Sequence, residues 1–473
     1  MTDTVDDAMR RPPLVPPRKR LFIASLLVAF LFPYVTWEQA AGCALLLLLF
    51  NTLILPWLGV DLSKPPPGPL LNKGGDTLNW VHVGAFTIGL DTGIILYPIS
   101  VLALILLYRS HLHTAAGAWA LMALGDGMAT VIGAAAGGPA LPWNRQKTWA
   151  GFVSFAVAGM AGAYILTRWI APTIPSDKAL MVCAAAALLG AALESLHLSL
   201  DDNITVPLVV GAFMFCAYLV ERSALHSNLP YLGRRVVLAI AVNLAFALLA
   251  RAFKVASRSG AICGFLLGTA IYLGYGYKSF LLLFAFVFLG SVATRVGFAK
   301  KAARGVAERR GGARSWREGL ANLLAPAFLA ILVITTHHEP ACLIALVAAL
   351  AEAAGDTISS EIGQWASDRA YLITTFKLVP AGEDGGVSLV GTAAGFAAST
   401  IIMGLGLGLG LCGPYRFAGP AIALAGAAVG NLLDSFLGAT LQRRSLVTNA
   451  MVNFVGTSVA GGVALGLALH LGL

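Results

Sequence analysis

An all-α polytopic membrane protein is the fold class that this sequence predicts, on three observations. Of its 473 residues, 58% are hydrophobic and 12% charged, and the mean hydropathy is +0.79, a balance that a soluble chain of this size does not sustain. Apolar runs of spanning length begin near Leu21, Gly42, Val81, Ile95, Ala115, Thr148, Lys178, Thr205, Arg235, Ala261, Lys278, Gly319, Cys342, Val387, Gly419 and Val452. At roughly 20 residues per crossing they predict about 14 to 16 transmembrane helices and exclude a barrel. Finally, Gly125-Asp126, six residues and Gly133 recur as Gly355-Asp356, six residues and Gly363. An embedded aspartate repeated at one spacing from two glycines predicts a duplicated intramembrane site, hence two homologous helical bundles.

At the start of the chain, residues 1–20 carry Arg10, Arg11, Arg18, Lys19 and Arg20 among prolines, which reads as a basic, disordered cytosolic tail. The apolar run from Leu21 is followed by another, so a cleaved signal peptide is not expected. The first bundle is expected over 21–228 and the second over 229–473, joined near Ser227 to Arg234. Lys300, Lys301, Arg304, Arg309, Arg310, Arg314 and Arg317 fill one long loop and carry much of the +9 net charge. Positive loops stay cytosolic, which places the N-terminus, the 298–318 loop and the sites beside them on the cytosolic face of a cytoplasmic or inner membrane. These runs read as topology signals and anionic-lipid contacts; without interleaved aromatics they do not read as a nucleic-acid surface. The 52 glycines, including the alternating stretch Gly404 to Gly410, suit close helix packing. Cys43, Cys183, Cys216, Cys263, Cys342 and Cys412 show no CxxC spacing and read as core. His337-His338-Glu339 reads as an interhelical turn, His82 stands at the start of a span, and Asp91 is an isolated acid in an apolar stretch.

Each glycine-aspartate motif leads into a polar loop with a lysine, a small-residue helix and a second acid. The first copy has Arg145, Lys147 and Thr148 in the loop, then Glu194; the second has Lys377, Asp384, Gly385 and Gly386, then Asp434. The acids stand 68 residues apart in one copy and 78 in the other. Acids, cations and glycine loops at a membrane surface are the parts that nucleotide-dependent phosphoryl transfer needs: carboxylates for Mg²⁺, cations for phosphates and close backbone approach. No GxxxxGK[ST] motif or Rossmann fingerprint occurs, so a nucleotide would be held by loops of the membrane domain itself.

Four ordered motifs resemble the phytol kinase and dolichol kinase family. They are Leu124-Gly125-Asp126-Gly127-Met128-Ala129, Pro142-Trp143-Asn144-Arg145-Gln146-Lys147-Thr148-Trp149-Ala150-Gly151, Leu193-Glu194-Ser195, and Asp201-Asp202-Asn203-Ile204-Thr205-Val206-Pro207. The chain departs from that family at Ala134 to Gly138 and at Leu78-Asn79, where the family carries basic residues. The second half is similar to the phytyl-phosphate kinase family of integral membrane proteins. The likeness rests on Lys254 to Gly260, Ala321-Asn322, Ala354 to Gly363, Gly382 to Gly391 and Asp434 to Gln442. The resemblances imply a bifunctional enzyme that takes an isoprenoid alcohol to its monophosphate and then to its diphosphate, with CTP or another nucleoside triphosphate as donor. They imply nucleotide contacts from Gly125, Arg145, Lys147, Thr148, Asp202 and Asn203 in the first half. In the second they imply contacts from Lys254, Arg258, Asn322, Lys377, Gly385, Gly386, Ser388 and Gln442.

The two transfers make different demands. An alcohol must lose a proton, which Asp126 or Glu194 could take while also serving Mg²⁺. A monophosphate is already anionic, and bringing it to a polyphosphate costs roughly 4 kcal/mol per pair of unit charges at 4 Å and an effective dielectric of about 20. Asp356, Glu361, Asp384 and Asp434 are candidate Mg²⁺ ligands to offset this, with Lys254, Arg258 and Lys377 on the phosphates. Glu361 is some 140° around a regular helix from Asp356, so the two share an ion only if the helix is interrupted. Asp126 could equally cap a helix, Lys147 anchor a helix end, and Asp201 and Asp202 cap the helix near Thr205. The competing class is a transporter or lipid flippase with repeated halves; another membrane CTP-using phospholipid enzyme is a further alternative.

Overall fold

The structure is a computed structural model that describes residues 22–54, 81–83, 86–88, 92–196, 200–414 and 416–473. The basic tail, Asn79 and Asp91 lie outside the described residues. The chain divides into two compact units, Met1–Tyr218 and Leu219–Leu473. This boundary falls ahead of the expected 228/229, because residues 227–234 belong to one unbroken helix, Arg222–Ala252, that packs within the second unit. Among the described residues twelve helices are long and apolar enough to cross a membrane, fewer than the 14 to 16 expected. Among the described residues the runs at Leu21 and Ile95 form the shorter apolar helices Phe22–Tyr34 and Ile95–Leu107, each of which contains a proline, Pro33 or Pro98. The run at Val81 is a hairpin rather than a span: β1, Val81–Val83 and including His82, pairs antiparallel with β2, Phe86–Ile88. The run at Ala261 lies in Arg258–Tyr275, where four glycines dilute the apolar character.

The first unit contains α1 (Trp37–Leu49), α2 (Thr92–Leu107), α3 (Leu112–Ala136), α4 (Trp149–Ile170), α5 (Ser176–Ser195) and α6 (Asp202–Leu219). Helix α3 bears Asp126 and is the unit's interior: 72% of its apolar window is buried. Small residues let α4 approach it. A Cβ at Gly133 would stand 3.4 Å from both the Gly151 Cα and the Thr148 Oγ1, and one at Gly159 only 2.8 Å from Leu121 Cδ2. Thr148 starts α4 by accepting the Gly151 N–H at 3.2 Å, which satisfies a backbone donor at the helix end.

The second unit runs α7 (Arg222–Ala252), α8 (Arg258–Tyr275), α9 (Tyr277–Arg295), α10 (Phe298–Ala303), α11 (Trp316–Thr335), α12 (Glu339–Ala366), α13 (Leu389–Gly408), α14 (Ala418–Gln442) and α15 (Asn449–His470). Helix α12 bears Asp356 and is surrounded by α9, α11, α13, α14 and α15, with 89% of its apolar window buried. Every other span outside α3 and α12 is half buried or less, so each repeated aspartate sits on the central helix of its unit. The glycine seam recurs as well: a Cβ at Gly363 would stand 3.0 Å from Ser388 Oγ and 3.5 Å from Gly391 Cα, and Ser388 caps α13 by accepting the Gly391 N–H at 3.1 Å. From Thr148, Gly151 and Glu194 to Ser388, Gly391 and Asp434 the numbering offset is a constant 240, against 230 for the glycine-aspartate motifs. The ten extra residues fall in the segment holding the small sheet β4-β3-β5 (Leu378–Pro380, Arg369–Leu372, Gly386–Val387).

The basic 298–318 loop has a structural use in addition to its charge. Lys300 Nζ donates to Trp365 O at 2.9 Å, and Arg304 donates to Gln364 O and Ser367 O at 3.1 Å each. These cations satisfy the last carbonyls of α12, at the negative end of its dipole.

Candidate active site

In the first unit α3 makes a π-turn over Leu121–Asp126, and the additional residue in that turn shifts the facing of the helix beyond it. Asp126 is only 9% exposed there. The loop ahead of α4 folds on itself, with Leu141 N–H donating to Lys147 O and Lys147 N–H to Asn144 O. It is pinned to the end of α5 by two bonds of 3.0 Å, Asn144 Nδ2 to Ser195 O and Trp143 Nε1 to Ser195 Oγ. Pinned in this way, Lys147 forms an ion pair with the buried Glu194, and Asp202 and Asp126 lie within its electrostatic reach. Burial alone would lower the Lys147 pKa; Glu194, aided by Asp202 and Asp126, outweighs it and holds the ammonium above the ordinary lysine value. Four predicted residues therefore converge. Three others serve elsewhere. Gly125 lies beneath Phe155, whose ring would stand 2.9 Å from a Cβ, so it is a packing residue. The Thr148 hydroxyl is used in its cap, and Arg145 is exposed. Asp201 is the helix-start acid: its Oδ1 accepts from Asn203 N–H and Nδ2 at 2.8 Å.

In the second unit Asp356 on α12 and Asp434 on α14 lie within hydrogen-bonding reach of each other. Asn453 on α15 donates from Nδ2 to Asp356 Oδ2 at 3.2 Å. The third acid, Glu352, was missed in the sequence although it lies one helical turn before Asp356 and so shares its face. It is 1% exposed and lies in a slot opened by Gly430 and Gly456. A Cβ at Gly430 would stand 2.7 Å from Glu352 Cγ, and one at Gly456 would stand 3.6 Å from Asp434 Cβ. Both Glu352 carboxyl oxygens, Asp434 Oδ2 and Asn453 Oδ1 are buried without a hydrogen-bond partner. Three neighbouring carboxyls in so dry a place need protons or a cation, and unpartnered carboxylate and amide oxygens are the donors that Mg²⁺ takes. The donor types fit that ion. Among the described residues no three His, Cys, Asp or Glu side chains are gathered at metal-binding spacing.

The remaining expectations separate from this cluster. Helix α12 is unbroken through Gly363, and Glu361 is ion-paired with the fully buried Lys301, which uses its charge away from Asp356. Asp384 accepts from Gln442 Nε2 at 2.8 Å; its electrostatic neighbours are Glu383 and Arg443, and burial, with Glu383, raises its pKa. That loop packs on the π-turn Gly438–Gln442 through Gly385, where φ is +73° and a Cβ would collide with Ala439; Gly386 lies in β5. Ser388 is used in its cap, and Lys377, Lys254 and Arg258 are exposed. Asn322 is buried on α11 with its Oδ1 unpartnered.

The family model described as "Integral membrane protein DUF92" matches residues 241–461. An uncharacterized membrane protein of Synechocystis sp. is 36% identical over 205 residues, which is 42% of this chain and 78% of that protein. Arabidopsis thaliana "Protein VTE6, chloroplastic" is 35% identical over 216 residues, 44% of this chain and 64% of that one. "Probable phytol kinase 2, chloroplastic" of Glycine max is 32% identical over 109 residues, 22% of this chain and 36% of its own. No solved structure matches the chain.

Proposed function

The chain belongs to the DUF92 family of integral membrane proteins, and on that basis we propose that it is a bifunctional isoprenoid kinase that phosphorylates an alcohol in the first unit and the resulting monophosphate in the second. The observation that carries the proposal is the pair of acid clusters, each on the central helix of its unit at the same place relative to a capped following helix, but unlike in charge. Asp126, Glu194 and Asp202 gather round a cation, Lys147, that is ion-paired with Glu194, whereas Asp356, Asp434 and Glu352 gather with an amide, and the charge that reaches Asp356, that of Arg314, does so without an ion pair. The relative named as a phytol kinase supports the reaction class.

In the first site the hydroxyl oxygen forms a bond to the terminal phosphorus of the nucleotide as the bond from that phosphorus to its bridging oxygen breaks, releasing the nucleoside diphosphate. The hydroxyl proton passes to Asp126, while Lys147, oriented by Glu194, faces the phosphates. In the second site a monophosphate oxygen attacks in the same way and no base is needed. There Asp356, Asp434 and Glu352 would hold Mg²⁺, which when bound supplies positive charge against the repulsion of the two phosphate groups. CTP as donor and the cytosolic orientation belong to the same proposal.

The test is to give the purified protein radiolabelled CTP or ATP with Mg²⁺ and either geranylgeraniol, phytol or the corresponding monophosphate, and to resolve the lipid products. Diphosphate formed from the alcohol is the expected result. Diphosphate from added monophosphate alone would remove the first half of the proposal, and no lipid product with any nucleotide would favour a transporter.

A further inference from the structure

Between α7, α8, α9 and α11 runs a groove whose wall is apolar: Phe246, Phe280, Leu283, Phe284 and Val287. Gly264 also lines it, and a Cβ there would meet nothing within 4 Å, so this stretch of the lining is bare backbone facing open space. Asn243, Arg314, Glu318 and Asn322 line it as well. The Arg314 guanidinium lies 6.0 Å from the Phe286 ring centroid and has no hydrogen-bond or ion-pair partner among the described residues. Asn322 is 4% exposed and donates to Glu318 O at 3.0 Å, leaving its Oδ1 buried without a donor.

Arg314 adjoins the acid cluster. Arg314 Nη2 and Thr357 Cγ2 stand 3.2 and 3.3 Å from the same point, where a Cβ on Gly290 would lie, and Thr357 directly follows Asp356, which feels the Arg314 charge. An apolar groove in a membrane protein is ordinarily filled by lipid tails. An unpaired guanidinium and an amide oxygen that lacks a donor, both lining it, ask instead for an anionic head that also carries a proton. A phosphate monoester offers both as its monoanion, with a second pKa of about 6, whereas a phosphodiester has no proton to donate.

We propose that the groove seats the hydrocarbon chain of an isoprenyl monophosphate, with Arg314 and Asn322 on its phosphate, so that the acceptor oxygen is presented to Asp356 and Asp434. The assignment rests on the kinase reading of the second site. It makes Arg314 a substrate-binding residue and Gly264 a determinant of chain length.

The experiment uses the full chain in phosphatidylcholine and phosphatidylglycerol nanodiscs, without nucleotide, and a C20 isoprenyl monophosphate bearing a diazirine at its far end. Label is expected on peptides spanning Phe246 and Phe280 to Val287, competed by unlabelled geranylgeranyl monophosphate and not by phosphatidic acid. Gly264→Leu, which fills open space on a helix, should weaken competition by the C20 monophosphate about tenfold, the equivalent of displacing roughly two methylenes, and leave a C5 monophosphate unchanged. Arg314→Gln should weaken the C20 monophosphate about 10- to 100-fold and leave the uncharged C20 alcohol unchanged. Label outside the groove, equal competition by phosphatidic acid, or a Gly264→Leu protein with unaltered chain-length preference would overturn the assignment. Label in the groove without phosphoryl transfer in the presence of nucleotide would support the groove and sink the kinase reading; transfer with label elsewhere would do the reverse.

Discussion

At the scale of single residues, charge is set by partners. Lys301 and Glu361 are both buried and, among the described residues, ion-paired with each other alone, so removing one strands the other in a dry interior. Lys301→Met is expected to destabilise the protein by about 3 to 5 kcal/mol, with Lys301→Met/Glu361→Leu recovering most of it, read as melting temperature in detergent. A single variant as stable as the wild type would mean that water reaches the pair. Asp126→Ala should abolish alcohol phosphorylation and leave monophosphate kinase activity; retained alcohol phosphorylation would remove the base from Asp126. Lys147 has a raised pKa, so its pairing with Glu194 contributes stability below the unfolded lysine pKa and loses it as pH rises through the folded one. Alcohol kinase activity should accordingly show no lysine-linked loss between neutrality and the ordinary lysine range, a point that a pH profile of initial rates checks.

At the scale of elements, the glycine seams set how near each acid-bearing helix lies to its neighbour. Gly363 leaves 3.0 Å to Ser388 Oγ for a Cβ and Gly133 leaves 3.4 Å to Thr148 Oγ1. Gly363→Val should therefore part α12 from α13, cost about 1 to 3 kcal/mol as overpacking does and lower diphosphate formation. Gly133→Val should act on alcohol phosphorylation alone. If either variant impaired both steps, the seams would not be local to their units. The hydrophobic runs located these helices well, since a span is announced by its own residues. They overcounted at Leu21, Val81, Ile95 and Ala261, where the described residues form shorter apolar helices, a hairpin and a glycine-diluted helix within windows that hydropathy averages over.

At the scale of the whole molecule, the proposed function has two reactions in sequence within one bilayer, so that the intermediate would be made where it is used. Asp356→Ala or Asp434→Ala should accumulate monophosphate from the alcohol. Asp126→Ala and Asp434→Ala proteins should together restore diphosphate formation in one membrane and not when held in separate vesicles; restoration across separate vesicles would show that the intermediate leaves the membrane. Chelating Mg²⁺ with EDTA should stop diphosphate formation, and excess Mg²⁺ should restore it. The membrane class, the two repeated glycine-aspartate motifs and the second acids Glu194 and Asp434 were legible in the chain without its fold, because hydropathy and local spacing are properties of contiguous residues. The neighbour that each charge faces was not legible until the helices were in place. Packing assigned Glu361 to Lys301 across 60 positions and Asn453 to Asp356 across 97, and it brought Glu352 into the acid cluster and Arg314 to its edge. A buried carboxyl takes its role from the nearest cation or donor in space, and helices distant in sequence supply that neighbour only once they have packed.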